Sequence, residues 1–355
     1  MEALNMIFKR ALPKVIGMDI SGTSIKVVKL SKLEHAYQLD VLGYEPLPPN
    51  LVQEHEIQNV EEMARHIKNL VSRLKLDNSQ VAIAISGSAV ITKVIEMNAG
   101  LTEYEQEIHI ESVADQYIPF PLSEVALDYD VVGPIANQPN KVEVLLAVAR
   151  SELVDKYKTA VELAGLTPMY IDVETYAIER GYHALLHDQY PDKVVAVVNV
   201  GNLVTTLNVL ANGRTTYTRE QLFGGKQLTE EIQAQYSLSF EEAEKKKRAN
   251  DLPADYHQEI LTPFMQTIAQ QIARSLQFYY SSGEHRDIQQ ILLAGGSSNI
   301  IGLTEVIEAE LHLPVALIHP FSKMKISKQI SEETLQAYAS SLTAACGLAL
   351  RSFTG

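Results

Sequence analysis

Two hydrophobic runs separated by a cluster of small polar residues near the start of the chain predict a β-hairpin. Apolar residues dominate 15–30 (VIGMDISGTSIKVVKL), interrupted by Asp19 and by the small polar cluster from Ser21 to Ser24. Apolar, β-branched runs on both sides of a short Gly/Ser turn are typical of two paired strands. The tip would present backbone N–H groups and hydroxyls, with a carboxylate just before it. Lys26 alternates with apolar neighbours on the outgoing strand, so we expect it to face solvent.

The same pattern returns in the second half of the chain, at 194–213 (VVAVVNVGNLVTTLNVLANG). A shift of 180 positions (199 − 19 and 201 − 21) places Asp19 on Asn199 and Ser21 on Gly201. The run is long enough to suggest a membrane span, but its Asn, Thr and Gly residues favour two buried strands around a turn. The repeat predicts two similar lobes whose hairpin tips face one cleft, and such clefts are common ligand sites.

Two further segments, at 223–236 and 288–303, place a glycine pair just before a predicted helix. The pairs are Gly224–Gly225 and Gly295–Gly296, and the second helix is expected to begin at Ser297 or Ser298. Glycines at such positions let the backbone approach a ligand closely, and a helix N-terminus favours an anion. Each signal is weak alone, but four glycine-containing elements in this order predict an anion-binding cleft.

Composition narrows the class of protein. The chain has 355 residues, 46% of them hydrophobic and 21% charged, which predicts about two globular domains. Its 30 basic and 44 acidic residues give a formal charge of −14, so a broad surface for nucleic acid or an anionic membrane is not expected. The single cysteine, Cys346, excludes an internal disulfide, and its small apolar neighbours predict a buried packing position.

The order of these elements resembles the actin-like ATPase superfamily and, within it, the PilM family of cytoplasmic actin-like proteins of type IV pilus assembly. The residues that carry the resemblance are GMDISGTSIKVVKLS at 17–31, YEPLPPN at 44–50, QYIPFPLSEVALDYDV at 116–131, YTREQLFGGKQLTEEI at 217–232 and AACGLALRSF at 344–353. The resemblance extends over nearly the whole chain.

The resemblance implies an α/β fold of the actin-like ATPase type. This is a duplicated ribonuclease H-like fold with two lobes around a nucleotide cleft and an inserted subdomain of the FtsA/PilM type. The expected division is a first core subdomain at 1–85, 168–191 and 335–355, an inserted partner-docking subdomain at 86–167, a second core subdomain at 192–226 and 285–334, and a helical nucleotide-base subdomain at 227–284.

The resemblance also implies which residues form the site. The phosphates would be bound at the two hairpin tips, by Ser21, Gly22, Thr23, Ser24, Gly201 and Asn202. The ribose and adenine would lie against Gly224, Gly225, Glu244, Lys247, Gly295, Gly296 and Ser297. Magnesium would be bound through water beside Asp19 and Asn199. ATP and Mg²⁺ are therefore the expected cofactors, and no catalytic residue is assigned.

The base-binding side of this prediction depends on the segment SFEEAEKKKR at 239–248. Ser239 and Glu242 predict a capping box at the start of a helix, on which Glu244 and Lys247 share one face. A charged, solvated helix is the alternative interpretation of this run. Surface positions are expected for Lys245, Lys246 and Arg248.

Asn199 departs from the family pattern, which usually has Asp at this position. Asn has a similar shape but lacks the negative charge that would help to hold Mg²⁺ and orient water. Because electrostatic positioning supplies most of the catalysis in phosphoryl transfer, we expect nucleotide binding with slow or negligible hydrolysis. The chain would be at most a slow ATPase.

The resemblance favours a nucleotide-dependent scaffold whose partner is the N-terminal cytoplasmic segment of PilN, bound in a groove beside the inserted subdomain. Such a protein would be cytoplasmic and would associate with the inner membrane only through its partner. Contacts with other pilus platform components or assembly ATPases, and formation of a homo-oligomer, are left open. A small-molecule kinase of the same superfamily is the alternative function, and an FtsA-like polymer-forming protein is less favoured.

Overall fold

The computed structural model describes residues 13–34, 36–114, 116–135, 137–283 and 286–353, so residues 1–12 of the predicted first subdomain lie outside it. Its strands are β1 (Ile16–Ile20), β2 (Ser24–Lys32), β3 (Tyr37–Pro46), β4 (Val52–Gln53), β5 (Glu56–Ile57), β6 (Gln80–Ile85), β7 (Val90–Asn98), β8 (Val125–Ile135), β9 (Gln138–Arg150), β10 (Thr167–Val173), β11 (Val195–Val200), β12 (Thr205–Ala211), β13 (Arg214–Gln221), β14 (Gln290–Ala294), β15 (Val315–Leu317) and β16 (Lys325–Ile326). Its α-helices are α1 (Val60–Arg73), α2 (Glu103–Ala114), α3 (Ser151–Leu163), α4 (Glu174–Leu185), α5 (Gly225–Tyr236), α6 (Phe240–Ala249), α7 (Thr262–Ser281), α8 (Leu303–Leu311), α9 (Glu332–Tyr338) and α10 (Thr343–Ala349).

The first hairpin lies inside a mixed six-stranded sheet. Its strand β1 pairs antiparallel with β2 and parallel with β6, and the sheet order is β10-β6-β1-β2-β3-β16. The second hairpin has the same surroundings, because β11 pairs antiparallel with β12 and parallel with β14 in the order β13-β12-β11-β14-β15. The repeat predicted from the sequence is confirmed as two sheets built around equivalent hairpins.

Amphipathic helices cover these sheets. The longest described helix, α7, buries Phe264, Ile268, Ile272 and Leu276 at four-residue intervals against the second sheet. Burial of one such side chain stabilises the fold by about 1.5–3 kcal/mol, so this row holds α7 in place. Among the described helices, none is both long enough and apolar enough to cross a membrane.

One hydrophobic cluster joins the two lobes. Val28 of the first sheet and Val197 of the second sheet belong to the same cluster as Tyr182 of α4 and Cys346 of α10. The predicted buried packing of Cys346 is confirmed, since its side chain has no exposed surface. Because the sheets share this core, the hairpin tips have a defined position relative to each other.

The region between the two repeats contains a small α/β unit. A three-stranded antiparallel sheet, in the order β7-β9-β8, packs against α2 through a cluster that includes Ile95, Ile110 and Val144. The following helix, α3, instead contributes Tyr157 to the core of the first lobe. The packing favours ending the inserted unit before α3 rather than at 167, and the division into subdomains remains a prediction.

The segment after β14 differs from the sequence-based expectation. No α-helix begins at Ser297 or Ser298; a short 3-10 turn covers Gly296–Asn299, and the α-helix begins at Leu303. Gly302 has a φ of 85°, a left-handed conformation that interrupts any helical run through this segment.

Candidate functional site

The two hairpin tips meet between the sheets. Both turns are closed by the same hydrogen bond, from Ser21 N to Ser24 O at 2.9 Å and from Gly201 N to Val204 O at 3.0 Å. A Cβ atom placed on Gly22 would lie 2.5 Å from Cδ1 of Leu203, next to Asn202 in the second turn. The tips therefore face one place in the fold, as the repeat in the sequence predicts.

The N-terminus of α5 lies directly on the second hairpin. Gly225 N donates to Gly201 O at 3.1 Å, and Lys226 N donates to Asn202 O at 2.8 Å. A Cβ on Gly224 would lie only 2.5 Å from Gly201 O, so this close approach requires glycine. The structure thus brings the predicted glycine pair of α5 together with the predicted phosphate-binding turn.

The end of β14 approaches the same turn from the other side. Ser297 Oγ donates to Gly201 O at 2.9 Å. Gly295 has a φ of 93°, and a Cβ there would lie 2.4 Å from Val200 O and 2.6 Å from Asn199 Oδ1. The neighbouring Gly296 has no such crowding, since a Cβ would come no closer than 3.9 Å to Ser341 Cβ.

Helix α6 is held against the N-terminus of α5 by the predicted Glu244–Lys247 pair. The Lys247 ammonium donates to Thr229 Oγ1 at 2.6 Å and to Gly225 O at 3.3 Å, and it also forms an ion pair with Glu244. Burial lowers the pKa of Lys247 even though Glu244 opposes this shift. The two side chains are 17% and 19% exposed, so the pair is mostly enclosed rather than solvated. The predicted capping box of Ser239 is present.

Lys26 does not face solvent, and this expectation was wrong. Its Nζ lies 2.8 Å from Asp19 Oδ2 and 3.3 Å from Ser21 Oγ, and its side chain is only 12% exposed. Alternation along β2 places Lys26 on the face that points away from the core of its own lobe. That face lines the interior of the cleft rather than the solvent. Burial opposes its charge, but the attraction and the hydrogen bond of Asp19, together with Tyr44 and Glu174, outweigh burial, and the pKa of Lys26 is raised.

Glu174, which sequence reasoning missed, lies at the start of α4 beside the second hairpin. Asn199 Nδ2 donates to Glu174 Oε1 at 3.0 Å. Burial, with the negative charges of Asp19 and Glu220, raises the pKa of Glu174 to about 7. Its position directly after strand β10 was the available signal, because polar residues at strand ends often point into a ligand site. A carboxyl group with this pKa can both accept and release a proton near neutrality.

Glu220, also missed, connects the second lobe to the first. Its Oε1 accepts hydrogen bonds from Ser86 Oγ at 2.9 Å and from Ser88 N at 3.2 Å, and its Oε2 lies 3.5 Å from His55 Nε2. The hydrogen bond to Glu220 raises the pKa of His55 although burial opposes the shift. No sequence signal pointed to Glu220, because its partners lie more than 130 positions away.

These residues fit a nucleoside polyphosphate with a divalent cation. The Lys26 ammonium and the hydroxyls at the first hairpin tip are phosphate donors. The Asp19 carboxylate is an oxygen ligand of the kind that Mg²⁺ prefers. The chemistry of the cleft therefore agrees with the ligand that the sequence predicts.

Two lobes with equivalent hairpins that meet over a shared cleft define the actin-like ATPase fold. A family model described as type IV pilus assembly protein PilM matches residues 17–353. The chain therefore belongs to the PilM family of type IV pilus assembly proteins.

Solved structures agree with this assignment. The chain is similar to a chain of the PilM-PilN type IV pilus biogenesis complex, with a TM-score of 0.82 and 28% identity over 96% of this chain and 99% of that chain. The ethanolamine utilization protein EutJ from Carboxydothermus hydrogenoformans has a TM-score of 0.54 and 15% identity, covering 97% and 91% of the two chains, and shares the fold.

A curated relative is more distant. Cell division protein FtsA of Bacillus subtilis (strain 168) is 21% identical over 255 residues, which is 66% of this chain. The chain spans 57% of the length of that relative.

Proposed function

We propose that this chain is an ATP-binding scaffold of the type IV pilus assembly machinery, and that it docks the N-terminal cytoplasmic segment of PilN. The observation that carries the nucleotide part is the convergence of Lys26, Asp19 and both hairpin tips. The partner is supported by the similarity over nearly the whole chain to a solved PilM-PilN complex. Association with the inner membrane would follow from binding PilN.

The first hairpin would bind the phosphates through Ser21, Gly22, Thr23 and Ser24, and the second through Gly201 and Asn202. Lys26 would exchange its ion pair with Asp19 for phosphate oxygens. This exchange would free the Asp19 carboxylate for water bound to Mg²⁺. The adenosine would lie between α6, with Glu244 and Lys247, and the turn after β14. Bound ATP supplies the negative charge that these donors are arranged to meet.

The same residues support slow hydrolysis at most. The amide of Asn199 donates to Glu174, so one oxygen of this carboxyl group is already occupied. Burial keeps the pKa of Glu174 near 7, so a substantial fraction of the group is protonated at neutral pH. An Asn in place of Asp also removes a negative charge beside the metal. These features are more compatible with binding than with rapid turnover.

Docking is supported by apolar side chains left exposed on the unit between the two repeats. Large hydrophobic residues with exposures from 38% to 71% are Val94, Tyr104, Ile108, Tyr117, Phe120 and Val131. A concentration of such residues on a unit with its own small core is typical of a protein interaction surface. An extended or helical peptide with apolar anchors is the chemistry that this surface accepts.

Calorimetric titration with MgATP, and then with a synthetic PilN N-terminal peptide, tests both parts. We expect binding of each ligand to the full chain. Lys26→Met should weaken MgATP binding at least tenfold, whereas the exposed control Lys29→Met on the same strand should not. Ile108→Asp should weaken peptide binding alone. Absence of MgATP binding would refute the nucleotide part, and absence of peptide binding would refute the docking part.

A further inference from the structure

We infer that strand β13 couples the nucleotide cleft to the inserted subdomain, so that the position of the second lobe determines the orientation of the partner-docking surface. This inference rests on the proposed function. The inserted subdomain denotes here the unit of α2 and β7–β9, with the segment 86–89 that leads into it. β13 is an edge strand of the second sheet and is followed closely by α5.

One end of β13 is attached to the phosphate-binding turn. Thr205, the first residue after that turn, pairs with Gln221 at the end of β13. Its hydroxyl also donates to Phe223 O at 2.7 Å. Two residues further on, the N–H groups of Gly225 and Lys226 donate to the turn itself. A displacement of the second hairpin would therefore be transmitted to the end of β13 over a few directly bonded residues.

The same end of β13 holds the segment through which the chain enters the inserted subdomain. Glu220 accepts from Ser86 Oγ and Ser88 N, which lie on both sides of Gly87. Gly87 is itself confined, since a Cβ there would lie 2.7 Å from Thr175 Oγ1 of α4. The carboxylate is mostly buried, with 13% of its side chain exposed, and His55 Nε2 lies 3.5 Å from its second oxygen. A buried, multiply bonded carboxylate is a strong constraint on the segment that it holds.

The other end of β13 touches the inserted subdomain directly. Arg214 Nη2 donates to Val132 O of β8 at 3.3 Å. The neighbouring Thr215 N donates to Glu179 Oε2 of α4 at 2.7 Å, which fixes this end of the strand against the shared core. β13 is thus attached to the inserted subdomain at two points, about six residues apart on one strand. Two attachments of this kind set an orientation, whereas one would leave a pivot.

The first test measures orientation without any ligand. Cysteines introduced at the exposed positions Glu107 on α2 and Glu308 on α8 can carry a donor and an acceptor dye. The single native cysteine is fully buried and leaves the labelling selective. We expect one narrow distance distribution in the otherwise unchanged chain. Glu220→Ala should broaden or shift it, and Glu220→Gln should stay close to the unchanged chain because its carbonyl still accepts both hydrogen bonds.

Matched variants make this comparison decisive. Glu230→Ala removes an exposed carboxylate from α5 of the same lobe, and it should leave the distance distribution unchanged. If Glu220→Ala fails to fold, Ser86→Ala removes a partner of the same carboxylate from the other side. Hydrogen exchange at 86–98 should accelerate in Glu220→Ala, or in Ser86→Ala if that variant is used in its place. An unchanged distance distribution together with unchanged exchange would overturn the inference.

The second test measures coupling. In the unchanged chain, MgATP should alter the affinity for the PilN peptide by about fivefold or more, the lower end of typical allosteric effects. In Glu220→Ala both ligands should still bind, but the affinity for the peptide should be nearly the same with and without MgATP. An effect of MgATP as large as in the unchanged chain would overturn the inference. Failure of the unchanged chain to bind either ligand would instead refute the proposed function, and the distance measurement would still decide the role of β13.

Discussion

The pKa of Glu174 makes the stability of this protein depend on pH in a way that one substitution should remove. The pKa of this carboxyl group is raised from its usual value of 4.5 to about 7 by burial and by the nearby negative charges of Asp19 and Glu220. When the pKa of a group is higher in the folded state than in the unfolded state, the folded protein still holds the proton at pH values where the unfolded chain has released it. The resulting stability is fully present below pH 4.5 and is lost as pH rises through about 7.

The shift corresponds to about 3 kcal/mol over the whole titration, and to about 2 kcal/mol between pH 5 and pH 8. Glu174→Gln keeps the shape of the side chain and an oxygen that accepts from Asn199, but it cannot ionise. We therefore expect the free energy of unfolding of the variant, minus that of the native sequence, to increase by about 2 kcal/mol between pH 5 and pH 8. The variant should be the more stable protein at the alkaline end.

Urea denaturation of both proteins at half-unit pH intervals measures this difference. Asn199→Ala is the matched control, because it removes the hydrogen bond and retains the carboxyl group. The pH dependence should persist in that control or become steeper, since the ionised form loses a donor. If the curves of the native sequence and Glu174→Gln run parallel from pH 5 to pH 8, the environment assigned to Glu174 is wrong.

Other substitutions test packing and charge. Lys26→Met leaves its partner carboxylate buried without a counter-charge and should cost about 3 kcal/mol of unfolding free energy, whereas the exposed Lys29→Met should cost under ~0.5 kcal/mol, as urea titration can measure. Gly295→Ala should lower the melting temperature far more than Gly283→Ala. Both glycines have a φ of 93°, but only at Gly295 would the added Cβ atom collide with the second hairpin. Ser239→Ala should cost about 1 kcal/mol by removing the N-cap of α6, and it should weaken MgATP binding if α6 contacts the nucleotide.

The hairpins were predictable because their signals are local. An apolar run, a small polar turn and a second apolar run determine a hairpin without reference to the rest of the chain. The shift of 180 positions then identifies the second copy, and the structure repeats even the hydrogen bond that closes each turn. The capping box of Ser239 is equally local, since all of its donors and acceptors lie within four residues.

The orientation of Lys26 could not be predicted in the same way. Alternation along a strand tells which side chains share a face, but it does not tell what covers that face. In a one-lobed protein the polar face of β2 would meet water. Here a second lobe lies opposite, so the same face lines a cleft, and Lys26, which pairs with Asp19 across the first hairpin, is only 12% exposed.

The contacts between the lobes were beyond local reasoning for the same physical reason. Glu220 meets Ser86 only because the two sheets pack on a shared core, and no periodicity within β13 encodes that meeting. Arg248 is similar: its side chain is 57% exposed, as the sequence predicts, yet Tyr44 of the first lobe lies near enough to raise the pKa of Arg248 although burial opposes the shift.

The repeat nevertheless explains where these contacts fall. In the first sheet Tyr44 of β3 pairs with Lys26, and in the second sheet Glu220 of β13 pairs with Thr206, the position 180 residues after Lys26. Tyr44 and Glu220 therefore occupy equivalent places in the two halves, and each reaches the opposite lobe. The duplication that builds the binding cleft thus also places a contact with the opposite lobe at the equivalent position of each sheet.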